Sequence, residues 1–151
     1  MDYFSKLTLS LENISKHINK IKSKKISEYG IRPAHFDCMM HIDMSDEGLT
    51  PTELSKDCGV DKAFISRTTA DLVKSGFIQI NKKFSDGRKY RNKYILTEDG
   101  KNVIKETKDL IEKQLKEMCG KISEFDMRAF VKIVLSINDM IDSKKKAKTK
   151  I

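Results

Sequence analysis

Two short stretches of this 151-residue chain combine basic side chains with small or polar ones. In the first, residues 62–70, a step of about 100° per residue around a helix puts several of them on one outer face. They are Lys62, Ala63, Ser66, Arg67 and Ala70. The second stretch, residues 81–94, carries six lysines and arginines against a single acid, Asp86. A hairpin with that excess of positive charge is suited to a polyanion, because contacts to phosphates release condensed counterions.

Local signals place the two stretches on a pair of helices followed by a hairpin. Thr50-Pro51-Thr52-Glu53 is a capping box with proline at the first helical position, which predicts the start of a short helix. Asp61 can cap a second helix over residues 62–75. Strand-like segments at residues 77–80 and 94–96 flank the basic stretch. Two helices joined by a short turn and followed by a basic hairpin predict a winged helix-turn-helix, an arrangement that binds DNA.

The second helix of this pair is predicted to face the DNA. Its inner side, with Ile65, Thr69, Leu72 and Val73, should face the core. A guanidinium can bind the two acceptors of guanine, so we expect Arg67 to contact a base edge or a phosphate. An ion pair between Arg67 and Asp71, four residues on, is the alternative.

The hairpin tip supplies a second group of candidates. Arg88 is the candidate for the minor groove, with Asp86 bracing it, and Lys89 and Arg91 would contact the flanking backbone. Thr52, near the start of the preceding helix, can present its hydroxyl and backbone amides to a phosphate. The predicted DNA-contacting set is Thr52, Lys62, Ala63, Ser66, Arg67, Lys83, Arg88, Lys89 and Arg91.

Apolar residues recur with helical spacing at both ends of the chain. From Phe4 to Ile21, and again from Phe130 to Ile141, they step by three and four residues. A narrow apolar stripe on a long helix cannot form a core alone, so it needs a partner from the same chain or from a second subunit. We expect a dimerisation bundle built by two subunits, with an intramolecular bundle in a monomer as the alternative.

The composition and the motifs of the sequence argue against several other classes of protein. The net charge of +8 and the pI of about 9.3 favour anionic partners. No apolar run approaches the roughly 18 to 20 residues of a membrane span, and the N-terminus lacks the regions of a signal peptide, so we expect a cytoplasmic protein without a membrane partner. The sequence has no phosphate-binding glycine loop, H-E-x-x-H or G-x-S-x-G motif, so we expect neither an enzyme nor a cofactor.

The cysteines and histidines indicate no metal or disulfide chemistry. Cys38, Cys58 and Cys119 lie far apart among apolar helical positions, which favours buried small hydrophobic side chains over a peroxide-sensing thiol. His35, Cys38 and His41 recur at steps of three residues. Because the outer two lie about 120° apart around a helix, we favour histidines lining a crevice over a metal site.

Taken in order, with long helices on both sides, these motifs resemble the MarR family of bacterial transcription regulators. The resemblance covers essentially the whole chain and rests on LTPTELS (residues 49–55), DKAFISR (61–67), DLVKSGFI (71–78), DGR (86–88) and LTEDG (96–100). It implies a triangular homodimer that binds pseudo-palindromic DNA, usually represses a nearby operon and is often released by a small ligand.

The resemblance also implies a ligand crevice where the first and second helices meet the winged helix. By that analogy the candidate ligand-binding residues are Tyr29, Arg32, His35, Phe36 and Met39. Arg32 and the aromatic residues near it make hydrophobic aromatic acids the first effectors to test.

The sequence therefore predicts a mainly α fold with a small β-hairpin wing. We assign residues 31–100 to a winged helix-turn-helix domain, residues 1–30 and 101–143 to a helical dimerisation region, and residues 144–151 to a disordered basic tail. The expected function is that of a homodimeric, sequence-specific regulator of transcription, a repressor relieved by a small effector. The alternative is a winged-helix protein-interaction module, which would predict a wing without basic excess.

Overall fold

The computed structural model describes residues 2–84, 87 and 91–149, and these are mostly helical with one antiparallel hairpin. The helices are α1 (Tyr3–Ser27), α2 (Pro33–Asp43), α3 (Pro51–Cys58), α4 (Lys62–Lys74), α5 (Glu98–Met118) and α6 (Glu124–Thr149). The strands are β1 (Ile78–Ile80) and β2 (Tyr94–Leu96), and a short 3-10 turn, Lys82–Phe84, follows β1. The predicted fold class is confirmed. The chain divides into two compact units, Met1–Glu112 and Lys113–Ile151.

The helix-turn-helix begins at the caps predicted from the sequence. The Thr50 hydroxyl accepts the Glu53 N–H at 3.2 Å, and the Glu53 carboxylate accepts the Thr50 N–H at 2.8 Å. Gly59 ends α3 at φ +67°, in the left-handed region that favours glycine. The Asp61 carboxylate then accepts the Phe64 N–H at 2.7 Å and starts α4. Short-range hydrogen bonds therefore fix where both helices begin.

The core of the first unit joins α1 and α2 to the helix-turn-helix, the hairpin and α5. Its buried side chains are Ile26, Ile31, Phe36, Cys38, Met39, Ile42, Leu54, Ile65, Leu72, Ile78, Leu96, Val103 and Ile104. Strands β1 and β2 pair with Ile78 opposite Leu96 and Ile80 opposite Tyr94. Leu49 adds a bridge to Tyr94 through two backbone hydrogen bonds, at 3.1 and 2.8 Å. A β-carbon at Gly48 would overlap the Tyr94 carbonyl, so this close approach requires glycine.

The long helices α1 and α6 leave apolar side chains exposed. In α1 only Ile21 and Ile26 are buried, whereas Phe4, Leu7, Leu11 and Ile14 are exposed. The exposed apolar side chains of α6 are Phe130, Val131, Ile133, Val134, Leu135, Ile137, Met140 and Ile141. Among the described residues, every helix is too short or too polar to cross a membrane.

Helix α6 extends further than the sequence analysis predicted. It continues to Thr149, so the expectation of a disordered tail from residue 144 is wrong for residues 144–149. Lysine and alanine have high helix propensity, and adding them to an existing helix avoids the cost of nucleation. Residues 150 and 151 lie outside the described part of the chain.

Candidate nucleic-acid interface

Helix α4 has one buried face and one exposed face, as predicted. Its buried side chains are Ile65, Thr68, Thr69 and Leu72, and all five predicted outer side chains, Lys62, Ala63, Ser66, Arg67 and Ala70, are exposed. Val73 was expected in the core but is 45% exposed, so that expectation is wrong. The buried stripe runs through positions 65, 68, 69 and 72, which puts Thr68 inside and Val73 beyond its edge.

The Asp71 carboxylate of α4 is held by α2 rather than by Arg67. The His35 Nε2 lies 3.1 Å from Asp71 Oδ2, and the His35 Nδ1 accepts the Arg32 N–H at 3.0 Å. Because Nδ1 is an acceptor, the proton of the neutral ring lies on Nε2 and is donated to Asp71. Among the described residues the structure contains no ion pair that involves Arg67, so its guanidinium is available to a partner outside the chain.

The base of the wing is fixed by Asn81 and Glu47, whose contact no local sequence pattern indicates. The Asn81 side-chain amide donates to the Glu47 carbonyl at 3.0 Å, and its Oδ1 accepts the Lys83 N–H at 3.2 Å. The Lys93 ammonium lies 3.3 Å from the Glu47 carboxylate. Lys93 therefore helps to hold the hairpin, while Lys82 and Lys83 are exposed to solvent.

The other predicted contact residues fall in two groups. Thr52 lies in the first turn of α3 and is exposed, and Arg91 is exposed just before β2. Arg88, Lys89 and the bracing Asp86 lie outside the described residues, so their roles stay predictions.

Within the part of the chain that the structure describes, the predicted ligand-binding residues lie at different places. Arg32 and His35 line a polar cavity of about 210 Å³ together with Asp71 and Lys74. Phe36 lines a separate, largely apolar cavity of about 400 Å³. Met39 is completely buried in the core and lines neither cavity.

Tyr29, the remaining predicted ligand-binding residue, is held within the first unit. Its hydroxyl donates a hydrogen bond to the Glu106 carboxylate. Burial, together with that carboxylate, raises the pKa of Tyr29, so the hydroxyl stays protonated as a donor.

The cysteines differ from one another more than their sequence contexts suggest. Cys38 is buried as predicted, whereas Cys58 and Cys119 are half-buried. Although Cys38 and Cys58 are far apart in sequence, their sulfurs lie 3.8 Å apart across α2 and α3. Among the described residues no group of three His, Cys, Asp or Glu side chains is arranged to hold a metal ion.

Comparisons with known proteins agree with this architecture. Residues 29–89 match the sequence model of the MarR family. The chain is 30% identical over 139 residues to the HTH-type transcriptional repressor YetL of Bacillus subtilis (strain 168), across 79% of this chain and 82% of that protein.

Solved structures of low sequence identity share the fold. A complex of Staphylococcus aureus MarR with salicylate and kanamycin superposes with a TM-score of 0.77 at 16% identity, over 92% of both chains. A MarR transcriptional regulator from Methanosarcina mazei Go1 gives 0.71 at 20% identity, over 94% of this chain and 98% of that one. With the relationship to the repressor above, these findings show that the chain belongs to the MarR family of DNA-binding transcription regulators and is not an enzyme.

Proposed function

We propose that this chain is a homodimeric repressor that binds pseudo-palindromic operators through α4 and the wing. The observation that supports the proposal is that α4 has one buried face and one exposed face. Its inner stripe is buried, which fixes the helix, while its outer face combines the small side chains of Ala63, Ser66 and Ala70 with Arg67. Small side chains let a helix approach base edges closely, and arginine supplies the bidentate contact to guanine.

His35 supports this assignment by determining which partner Asp71 has. Arg67 and Asp71 are four residues apart on one helix, a spacing at which opposite charges attract. With the Asp71 carboxylate accepting the His35 Nε2–H, the Arg67 guanidinium keeps its donors for DNA. The alternative of an Arg67–Asp71 surface pair is therefore disfavoured.

The exposed apolar faces of α1 and α6 support a homodimer. Phe4, Leu7, Leu11 and Ile14 follow one face of α1. On α6, residues 130, 133, 134, 137, 140 and 141 share a face, and the polar stripe of Arg128, Lys132, Ser136 and Ser143 lies away from it. Contiguous apolar faces of this kind mark an interface, and most soluble oligomers are symmetric assemblies of identical chains. A two-fold dimer would also present two α4 helices to the two half-sites of a pseudo-palindrome.

The apolar cavity is the effector site we propose. Phe36, Met40, Met44 and Ile111 supply apolar walls, and Lys22 and Lys108 lie at the same cavity. The two ammonium groups lie 3.4 Å from the Asp37 carboxylate and 3.0 Å from the Asp43 carboxylate, respectively. An aromatic acid would pack its ring on these walls and compete for the lysines with its carboxylate. Salicylate, present in the S. aureus complex above, is the first compound of this class to test.

A matched pair of lysines on α5 tests the effector site. In wild-type protein, salicylate should release operator DNA and raise the melting temperature. Lys108→Met should weaken both responses several-fold, since it removes the ammonium at the cavity. Lys105→Met is the control, because Lys105 is exposed and pairs with Asp109 on the same helix at 2.9 Å. Equal responses from the two variants would mean that the effector binds at a site other than this cavity.

Selection of duplexes from a random pool tests DNA recognition itself. We expect wild-type protein to enrich one motif with two inverted half-sites, centred about one helical turn or a multiple of it apart. A protein-interaction module with a basic surface would retain DNA at low salt but enrich no sequence.

A further inference from the structure

Two of the three cysteines form a thiol pair inside the first unit. Cys38 comes from the middle of α2, and Cys58 is the last residue of α3. Their sulfurs lie 3.8 Å apart although the residues are 20 positions apart in sequence, and neither is in a disulfide. Only a contact between helices brings them together, which is why their spacing in the sequence gave no sign of a pair.

We propose that Cys38 and Cys58 are a site of reversible intrachain disulfide formation, with a small hydroperoxide as the oxidant. The two sulfurs differ in access, which assigns their roles. Cys38 is 1% exposed, whereas Cys58 is half-buried and lines the apolar cavity of about 400 Å³. Hydrogen peroxide can reach Cys58 through that cavity, so Cys58 is oxidised first and Cys38 resolves the product.

The reaction balances in two steps. The Cys58 thiolate attacks the near oxygen of the hydroperoxide, the O–O bond breaks, and an alcohol or water leaves as Cys58 becomes a sulfenic acid. The Cys38 sulfur then attacks the Cys58 sulfur, the S–O bond breaks, and water leaves as the disulfide forms. The two thiols together lose two protons and two electrons, and the peroxide is reduced to an alcohol or water and one further water. A thiol reductant reverses the reaction.

Disulfide formation must shift one helix end. A disulfide bond is about 2.05 Å long, so the sulfurs must approach by about 1.8 Å from their separation of 3.8 Å. Cys58 is the more movable partner, because α3 ends there and Gly59 follows in the left-handed region. The same segment, residues 59–61, leads directly into α4. Oxidation should therefore move the start of α4 and lower DNA affinity, a consequence that rests on the proposed function.

The burial of both thiols determines how fast the reaction runs. Burial raises the pKa of Cys38 to about 12, and burial also raises the pKa of Cys58. The attacking thiolate is therefore scarce at neutral pH, and the rate should rise with pH. This pair would respond to sustained exposure to peroxide rather than to traces of it.

Peptide mapping of the full-length protein tests the site without any DNA. Reduced wild-type protein is treated with hydrogen peroxide, the remaining thiols are alkylated, and the peptides are identified by mass. We expect a peptide pair joined through Cys38 and Cys58, no covalent dimer, and loss of the linkage with dithiothreitol. The rate should be at least tenfold higher at pH 9 than at pH 7. A linkage through Cys119, or alkylation of all three cysteines after treatment, would overturn the proposal.

Three single variants separate the roles of the cysteines. Cys119→Ser is the matched control and should form the disulfide as wild type does. Cys38→Ser should stop at a Cys58 sulfenic acid, which a dimedone adduct detects, and Cys58→Ser should form no linkage. A dimedone adduct on Cys38 in the Cys58→Ser variant, at the wild-type rate, would contradict the order of attack.

Operator binding before and after oxidation tests the link to α4. We expect oxidised wild type to bind at least threefold more weakly and to recover with dithiothreitol, while Cys38→Ser is unaffected by the same treatment. A disulfide that forms without changing affinity would overturn the link to α4. If the reduced protein selects no DNA sequence, the proposed function fails, while the mapping result still decides the thiol site.

Discussion

Helix α4 and the terminal helices α1 and α6 expose surfaces of opposite chemical character. In α4 the apolar stripe is buried within its own chain and the outer face is small and basic. On α6 and in the first part of α1 most apolar residues are exposed, with Phe4 at 74% and Phe130 at 50%. The first surface is suited to an anion and the second to an apolar partner. We therefore expect two separate binding events, one electrostatic and one hydrophobic, which should depend differently on salt.

The largest expected effect comes from a charge on the apolar face of α6. Ile137→Asp should convert the protein to a monomer or unfold it, because a buried unpaired carboxylate costs several kcal/mol at an interface. Ser136→Asp, on the polar stripe of the same helix, should leave the dimer intact. Sedimentation velocity at micromolar concentration measures both variants. A wild-type protein that sediments as a stable monomer would contradict the proposal that the apolar faces of α1 and α6 form a dimer interface.

The next effect concerns the basic face of α4. Arg67→Ala should cost roughly 1 to 3 kcal/mol on the selected operator and reduce the preference over random DNA. Arg128→Ala, which removes an exposed arginine from α6, should leave operator affinity unchanged. Fluorescence anisotropy with operator and scrambled duplexes measures the two losses. If Arg67→Ala binds the operator like wild type, α4 does not read bases through this residue.

A smaller and different change is expected at the wing. Lys83→Ala and Lys89→Ala should weaken operator and random DNA almost equally, each lowering the salt slope by about one ion, because a lysine on a phosphate carries no sequence information. Arg88→Ala should fall between these and Arg67→Ala, with a bias against A·T-rich flanks. Titrations over a range of salt measure the slopes. Lys101→Ala is the control, since Lys101 pairs with Glu98 at the start of α5.

The smallest expected effect on operator affinity comes from replacing His35. His35→Ala frees the Asp71 carboxylate to pair with Arg67, so operator affinity should fall about twofold, the size of one helical ion pair. Adding Asp71→Asn to that variant should restore the affinity, because the neutral amide does not compete for the guanidinium. Titrations of operator DNA with the single and double variants measure both changes in affinity. An unrestored loss would mean that His35 acts only through the stability of α2.

Features set by neighbours in sequence were predictable, and features set by contacts between elements were not. The Thr50–Glu53 capping box and the Asp61 cap involve residues three apart, so the starts of α3 and α4 could be identified directly. The contact of His35 with Asp71 spans 36 positions and that of Lys93 with Glu47 spans 46, so neither left a local pattern. The Cys38–Cys58 contact was missed for the same reason.

Periodicity indicated which face of each helix is apolar but not what covers it. The predicted buried face of α4 is confirmed at Ile65 and Leu72, but the prediction is wrong at Val73. Helical spacing alone does not determine how wide the buried face is. The lysines after Ser143 were assigned to a disordered tail on charge, but α6 extends through Lys144, Lys145, Lys146 and Lys148, in line with the helix propensity of lysine.

Analytical ultracentrifugation of a labelled operator duplex, titrated with wild-type protein, tests the central claim most directly. We expect one dimer per pseudo-palindromic duplex and, at physiological salt, an affinity at least about a thousandfold above that for a scrambled duplex. One monomer per duplex, or equal affinity for the two duplexes, would contradict it.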